Sequence, residues 1–242
     1  MRIVVVTPAF NEARSIGLVA GDVPRAPFSV EGGRAAHVVA HIVVSNASTD
    51  ETEANARAAG CAVVREARRG YGQACLTGIA AAAAFDPGIV VFLDGDYSDH
   101  PDELPRIVAP IVRGEAVFVV GSRMRGVREP GAMLPQALVG NRLACALMRW
   151  IWGVRWTDLG PFRAITWGAL AGLGMEDRTY GWTVEMQIRA AAAGLACAEV
   201  PVSYRRRVGV SKITGTVTGT VRASWTILAT IARFARTVPP RR

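Results

Sequence analysis

The run IVVFLDGD, residues 89–96, passes directly from five apolar residues to two carboxylates. A short apolar run rich in β-branched residues is typical of a strand buried on both faces of a sheet. Two carboxylates placed together at a strand end repel each other, and a divalent cation with oxygen ligands is the usual compensation. The run therefore predicts a strand that carries Asp94 and Asp96 into a metal-dependent phosphate site.

Strand-like and helical stretches alternate on both sides of this run. The pattern predicts an α/β fold with a mostly parallel central sheet flanked by helices. Ligands bind such sheets beyond the carboxyl ends of the strands. The predicted strands are residues 2–7, 38–44, 61–65, 89–93 and 116–120, and the predicted helices lie near 12–20, 50–59, 72–84 and 102–113.

Length and composition favour one domain over residues 1–242, since half of the 242 residues are hydrophobic and a chain of this size can bury a substantial core. We expect a cytoplasmic protein, because the first strand begins almost at Met1 and the apolar stretch 225–232 is well short of the ~20 residues that span a bilayer. The four cysteines are widely scattered, which predicts small core residues rather than a metal or redox motif.

Positive charge is concentrated at the C-terminal end of the chain. The net charge is +8, Lys212 is the sole lysine, and no acidic residue follows Glu199. We expect the basic segment at about 213–242 to attract an anion: a nucleotide diphosphate, an anionic lipid or a nucleic acid. Nucleic acid is the least favoured of these, because the sequence lacks an aromatic-basic surface pattern or a recognisable module.

Three polar segments follow predicted strands: TPAFNE at 7–12, SNASTD at 45–50 and RRGYGQ at 68–73. In the third, the glycines would let backbone amides approach a phosphate. The ordinary alternative is a simple turn before a helix. Each segment alone is weak evidence for a binding site.

Further motifs follow in a fixed order: GSR at 121–123, DLGPFR at 158–163, YGWTVE at 180–185, EVPVSY at 199–204 and RVGVSK at 207–212. With the earlier segments, this set resembles the family 2 glycosyltransferases of the GT-A fold, and in particular their dolichol-phosphate mannosyltransferase-like branch. The resemblance covers roughly residues 3–230.

The resemblance implies a nucleotide-sugar site at the strand ends. Asp94 would contact the ribose or diphosphate, and Asp96 would ligate Mg²⁺ or Mn²⁺, which offsets the developing charge on a diphosphate leaving group without proton transfer. Asp94 and Ser98 complete the implied metal set, with Asp99 as the alternative to Ser98. The implied donor-binding residues are Pro8, Phe10, Glu12, Ser45, Arg69, Asp94 and Asp96.

The same resemblance implies the catalytic residues Asp96, Arg123, Glu185, Arg207 and Lys212. The three basic residues would lie near the diphosphate and an acceptor phosphate, where Arg offers bidentate contacts and Lys a compact charge. Glu185 would position the donor sugar or Arg207, with Asp177 as a second choice.

Structural roles are also open for several charged residues near these motifs. Asp158 and Arg163 flank a Gly-Pro turn and could pair with each other. Arg205 and Arg206 are expected on a solvated strand face.

One departure from the family pattern concerns the donor base. Ser45 stands where relatives commonly carry the first acid of an acidic pair, and Asn46 follows it. Both side chains can hydrogen-bond a base or ribose but supply no charge. Base specificity therefore stays open between donors of the GDP-mannose and UDP-glucose types.

The acceptor is expected to be a polyprenyl or dolichyl phosphate at the cytoplasmic membrane face, with inversion as the family implies. Residues 124–136 resemble a flexible loop, and the apolar stripe of 137–152 fits either a bilayer surface or an ordinary core helix. The stretch 225–234 has the composition of an interfacial helix. The alternatives are a glycan or another lipid as acceptor, or a nucleotide-sugar-binding regulator without turnover.

Overall fold

The computed structural model describes residues 1–30, 32, 34–209 and 217–238. Within them, seven strands form one sheet: β1 (Arg2–Ala9), β2 (His37–Asn46), β3 (Ala62–Glu66), β4 (Ile89–Phe92), β5 (Phe118–Ser122), β6 (Arg163–Thr166) and β7 (Cys197–Pro201). The helices are α1 (Ile16–Asp22), α2 (Thr52–Ala58), α3 (Tyr71–Ala82), α4 (Leu104–Val112), α5 (Pro135–Trp152), α6 (Trp167–Leu173), α7 (Trp182–Ala192) and α8 (Val217–Thr237).

The strand order is β3-β2-β1-β4-β6-β5-β7. Strands β1 to β4 are parallel to one another, and β6 runs antiparallel between β4 and β5. The predicted α/β class with a mostly parallel sheet is confirmed. The sequence reading lacked β6 and β7, because β6 has only four residues and β7 is a half-buried edge strand without a continuous apolar run.

Both faces of the sheet are covered by helices. Alternation along β1 sends Val4 and Val6 into one core with helices α3, α5, α7 and α8, and Ile3 and Val5 into another beneath α4. Burial on both faces explains why β1 and β4 are continuous apolar runs. At Gly78 of α3 a Cβ atom would lie 2.3 Å from Val6 Cγ1, so helix and sheet approach very closely there.

The cysteines follow the core expectation only in part. Cys75 and Cys145 are buried, Cys61 is partly buried, and Cys197 is exposed. The prediction of a core role is wrong for Cys197, which begins the edge strand β7.

A completely buried arginine ties β6 to the neighbouring loop and helix α7. The Arg163 guanidinium donates to the carbonyl oxygens of Leu159, Gly160 and Thr183, and burial lowers its pKa to about 10. The expected pairing of Asp158 with Arg163 is wrong, since the Asp158 carboxylate instead pairs with Arg123 at 2.7 Å.

The segment before α5 is held by the chain that follows β7. Tyr204 N donates to the Val127 carbonyl, and Glu129 N donates to the Tyr204 carbonyl, both at 2.9 Å. At Gly126 an added Cβ would lie 1.9 Å from the Val202 carbonyl oxygen. These contacts correct the expectation that residues 124–136 form a free flexible loop, because its first part is bonded to residues 202–204. Of the helices that the structure describes, none combines the length and apolar character needed to cross a bilayer.

Replacing Arg163 with Met should destabilise the fold by about 3 kcal/mol, because the buried carbonyl groups lose their charged donor. Chemical denaturation measures this loss. The control Arg113→Met changes an arginine at the surface and should leave the unfolding midpoint nearly unchanged. Equal midpoints for the two variants would contradict the role given to Arg163.

Candidate active site

A cleft of about 240 Å³ opens at the carboxyl ends of β1, β2 and β4. These strands are parallel, so the polar residues that follow each of them meet at one edge of the sheet. The loops after β1 and β4, the turn before α3 and the segment after β7 all reach the cleft. It is lined by Pro8, Ala9, Phe10, Glu12, Asn46, Arg69, Gly70, Tyr71, Ala74, Asp94, Gly95, Asp96, Tyr180 and Arg207.

Three aspartates crowd the loop after β4. Asp96 Oδ1 accepts hydrogen bonds from the backbone N and hydroxyl of Ser98, and Asp99 Oδ2 accepts one from Asp94 N at 3.3 Å. Burial, reinforced by the charge of Asp96, raises the pKa of Asp94 to about 7. Burial and the neighbouring carboxylates also raise the pKa of Asp99. Ionisation of these carboxylates is therefore disfavoured unless a cation balances their charge.

The donor set fits a hard divalent cation that shares its ligands with a substrate. Among the described residues, no three His, Cys, Asp or Glu side chains form a preformed metal cluster. Asp94 Oδ1, however, is buried at the cleft and has no hydrogen-bond partner among the described residues, and the Asp96 carboxylate lies beside it. Mg²⁺ in particular is commonly held by one or two carboxylates plus substrate phosphates.

Ser98 departs from the place that the resemblance implied. Its side chain is buried and its hydroxyl donates to Asp96, so it orients that carboxylate instead of lining the cleft. Asp99 is buried as well and bonds to the backbone of Asp94. Both residues support the loop from beneath.

Arg207 bridges two acidic residues across the mouth of the cleft. Its guanidinium lies 3.1 Å from Glu12 Oε1 and 3.1 Å from Asp96 Oδ2. The backbone sets this position, because Val208 N donates to the Asp96 carbonyl and Arg205 N to the Ser98 carbonyl. Arg207 thus lies at the site, as the motif implied. Lys212 lies outside the described residues.

Arg205 supports the acidic loop, contrary to the expected solvated strand face. Its guanidinium stacks on the Tyr97 ring at 3.4 Å and donates to the carbonyl oxygens of Tyr97 and Asp99. Tyr97 has a φ of 65°, an unusual backbone state for a bulky residue. Its hydroxyl donates to Asp22, which also pairs with Arg205. The only signal in the sequence was the basic run at residues 205–207, which suggested a position on the protein surface.

Phe10 and Arg69 face each other at the other end of the cleft. The Arg69 guanidinium lies 4.4 Å from the centre of the Phe10 ring. Asn46 stabilises the turn beside them, since its amide donates to the Arg68 carbonyl and accepts from Gly70 N. Ser45 is buried and does not line the cleft, so at the end of β2 it is Asn46 that reaches the site.

The glycine turn at residues 70–72 does not offer the amides of Gly72 and Gln73 to a phosphate, which was one of the two readings of this turn. Gly72 N donates to the Thr179 carbonyl and Gln73 N to the Arg178 carbonyl. An added Cβ at Gly72 would lie 2.0 Å from the Asp177 carbonyl oxygen. The glycines therefore allow the segment 177–179 to pack on α3, and the amides are already used.

Arg123 and Glu185 are not among the residues that line the cleft, although the charge of Arg123 partly offsets the rise in the pKa of Asp94. Arg123 is bidentate on the fully buried Asp158, which fixes the loop after β5. Glu185 is fully buried as well, accepts from Asp177 N at 2.7 Å and pairs with Arg189 at 2.8 Å. Both charges are thus paired inside the fold, and the catalytic roles that the resemblance implied for the two residues stay predictions.

The comparisons with known proteins place this geometry in a family. Residues 4–163 match the model of glycosyl transferase family 2. An uncharacterized glycosyltransferase of Mycobacterium tuberculosis (strain ATCC 25618 / H37Rv) is 35% identical over 226 residues, which cover 91% of this chain and 94% of the relative. The chain belongs to glycosyl transferase family 2, and the family resemblance read from the sequence is confirmed.

Two further proteins show the range of the similarity. A dolichyl-phosphate hexose transferase of Haloferax volcanii is 32% identical, with coverage of 86% of this chain and 85% of the relative. Glucosyl-3-phosphoglycerate synthase from Mycobacterium tuberculosis, solved with Mn²⁺, uridine-diphosphate and phosphoglyceric acid, is 25% identical with a TM-score of 0.72; the match covers 99% of this chain and 80% of that one. The expected GT-A fold is thereby confirmed.

Glu66, beside the turn before α3, makes a contribution to the stability of the fold that depends on pH. Arg68, Thr77 and Gln73 donate to its carboxylate, and these bonds hold its pKa at about 2. A lowered folded-state pKa stabilises the fold above pH 4.5, and this contribution disappears as the pH falls toward 2. Glu66→Gln should therefore cost about 1 kcal/mol at pH 7 and less near pH 3, as measured by urea unfolding. A cost independent of pH, or one shared by the exposed control Glu51→Gln, would contradict this.

Removing the Arg205 side chain should loosen the acidic loop without deleting a cleft residue. We expect Arg205→Ala to weaken Mn²⁺-dependent nucleotide binding about tenfold, since the loop loses a cation-π contact and charged hydrogen bonds. Calorimetry with UDP or GDP measures it. Arg206→Ala is the matched control, because Arg206 is exposed and bonds to the Pro130 carbonyl instead. Equal affinities for the two variants would contradict a supporting role for Arg205.

Proposed function

We propose that this chain is a metal-dependent transferase that moves one hexose from a nucleotide diphosphate donor to a polyprenyl phosphate. The observation that carries the proposal is the cleft in which Asp94 and Asp96 meet Glu12 and Arg207 beside the Phe10–Arg69 pair. One end offers an aromatic and cationic surface for a nucleoside, and the other holds carboxylates and a guanidinium for a metal-bound diphosphate.

The donor would be held along this cleft by residues of five different segments. Phe10 and Arg69 present flat surfaces on which a base can stack, and Asn46 offers an amide nearby. Asp94 and Asp96 would hold Mg²⁺ or Mn²⁺, which would offset the developing charge of the diphosphate leaving group. Arg207 would exchange its contact with Asp96 for a diphosphate or acceptor oxygen, and Glu12 would remain as its partner.

The reaction itself needs little proton transfer. The bond between the anomeric carbon and the diphosphate oxygen breaks, and an acceptor phosphate oxygen bonds to the anomeric carbon from the opposite side, with inversion. An acceptor phosphate is already ionised at neutral pH and requires no general base. This agrees with the cleft, whose lining contains carboxylates and arginines but no histidine among the described residues. Lys212 is proposed as a further contact to the acceptor phosphate.

The lipid acceptor is supported by the Haloferax relative, which is named for a dolichyl phosphate. The cationic C-terminal segment at 213–242 supports a lipid acceptor as well, because a polyprenyl phosphate and anionic lipid head groups are both negatively charged and would be attracted to it. We propose one catalytic domain over residues 1–242 that acts at the cytoplasmic membrane face. The donor is of the UDP-glucose or GDP-mannose type, and Asn46, the residue at the end of β2 that lines the cleft, supplies no charge that would select one of them.

Asp96→Asn tests the metal assignment most directly. The variant keeps the side-chain volume and an oxygen for the Ser98 bonds but loses the charge, so Mn²⁺-dependent binding of UDP or GDP should fall at least about a hundredfold. Titration calorimetry with and without Mn²⁺ measures it, and Asp102→Asn, an exposed aspartate of a neighbouring turn, is the control. Affinity equal to that of the unaltered chain would overturn the assignment.

The acceptor is tested with the unaltered chain, Mn²⁺ and radiolabelled UDP-glucose or GDP-mannose. Undecaprenyl phosphate and 3-phosphoglycerate are offered in separate reactions, because the similar synthase structure contains phosphoglyceric acid. Label in the lipid fraction would support the proposal. Label confined to the water-soluble product would reject the lipid acceptor while leaving the transferase class intact.

A further inference from the structure

Helix α5 presents apolar side chains on two opposite faces. Its inner face packs Ala144, Cys145, Met148 and Trp152 into the core. Its outer face exposes Val139 (65% exposed), Leu143 (46%), Ala146 and Trp150 (83%). Spacings of four, three and four residues place these outer residues on one stripe of the helix. A helix on the surface of a globular domain ordinarily carries polar residues there.

Arginines border this stripe, and neither α5 nor its neighbour α8 carries a negative charge. Arg142 and Arg149 are exposed on one side of the stripe. Neither α5 nor α8 contains an aspartate or glutamate in its sequence. Helix α8 packs beside α5, and the Trp152 indole donates to the Val238 carbonyl at their C-terminal ends. Helix α8 adds an exposed tryptophan, Trp225 (73% exposed), and the exposed Arg236.

We propose that this surface, the outer face of α5 with the exposed residues of α8, docks on an anionic lipid bilayer. Leucine, valine and tryptophan would enter the boundary between head groups and acyl chains, and the arginines would contact lipid phosphates. Charge complementarity selects this occupant. A second copy of the chain would place two cationic faces against each other, which like-charge repulsion opposes.

The surface connects to the cleft through the segment 177–180. The Arg233 guanidinium of α8 lies 3.7 Å from Asp177, and Thr230 of α8 contacts the same carboxylate. Tyr180, at the end of this segment, lines the cleft. The inference rests on the proposed function in one respect, which is that a docked enzyme would meet a polyprenyl phosphate in the membrane on which it docks. The docking itself is tested without acceptor or donor.

Leu143→Glu and Leu18→Glu form a matched pair, because both leucines are exposed helix residues with 46% of their surface accessible. The probe is flotation with vesicles of phosphatidylcholine containing one third phosphatidylglycerol. The unaltered chain and Leu18→Glu should float with these vesicles, and Leu143→Glu should bind at least about tenfold more weakly, since a carboxylate meets an anionic surface. Arg142→Gln together with Arg149→Gln should lose about fivefold per charge, against Arg14→Gln with Arg34→Gln as control.

Three results would overturn the inference. They are equal flotation of Leu143→Glu and Leu18→Glu, equal binding to vesicles without phosphatidylglycerol, and a vesicle-independent oligomer that Leu143→Glu converts to a monomer. Quenching by brominated lipids gives a second measurement, because Trp150→Phe should remove a large part of the quenching seen with the unaltered chain. If docking fails while label still reaches undecaprenyl phosphate in detergent, only this surface is rejected.

Discussion

The crowding of three aspartates after β4 is the constraint around which the site is arranged. A buried strand delivers Asp94 and Asp96 to one edge of the sheet, and Asp99 lies beneath them, so burial and mutual repulsion both oppose ionisation. Arginines that come much later in the sequence compensate this negative charge. The segment after β7 hydrogen-bonds to the acidic loop, which brings Arg205 below it and Arg207 across its mouth. The segment after β7 therefore supplies positive charge to the acidic loop after β4.

Arg207 has two partners at the cleft and can exchange one of them for a ligand. In the structure its charge is shared between Glu12 and Asp96, so one guanidinium offsets two carboxylates. A bidentate group of this kind can release one partner for a phosphate and keep the other. Arg123 differs, because its bidentate bonds to the fully buried Asp158 are enclosed within the protein. Two arginines that the motifs treat alike thus have different surroundings, because Arg207 lines the cleft and Arg123 pairs with a buried carboxylate.

The parallel half of the sheet and the chemistry of its edge could be predicted from sequence. Continuous apolar runs such as β1 and β4 are readable because burial on both faces requires them, and the DGD run marks where such a strand meets the site. Strand β6 could not be read, because a four-residue strand has no periodicity of its own. The positions of Arg123, Glu185 and Arg205 depend on partners 35, 8 and 183 residues away, respectively. Motif spacing does not encode such distances, whereas the motif residues Phe10, Glu12 and Arg207 do line the cleft.

The packing of residues 177–179 on the glycines of α3 has a consequence for donor binding. Free amides at the start of a helix present a partial positive charge that many phosphate-binding proteins use. Here the amides of Gly72 and Gln73 are bonded to carbonyl oxygens within the protein, so these two amides do not offer their charge to a ligand. Under the proposed function, a diphosphate in the cleft would therefore depend for its counter-charge on a bound cation and on Arg207, and its retention would depend on the presence of that cation.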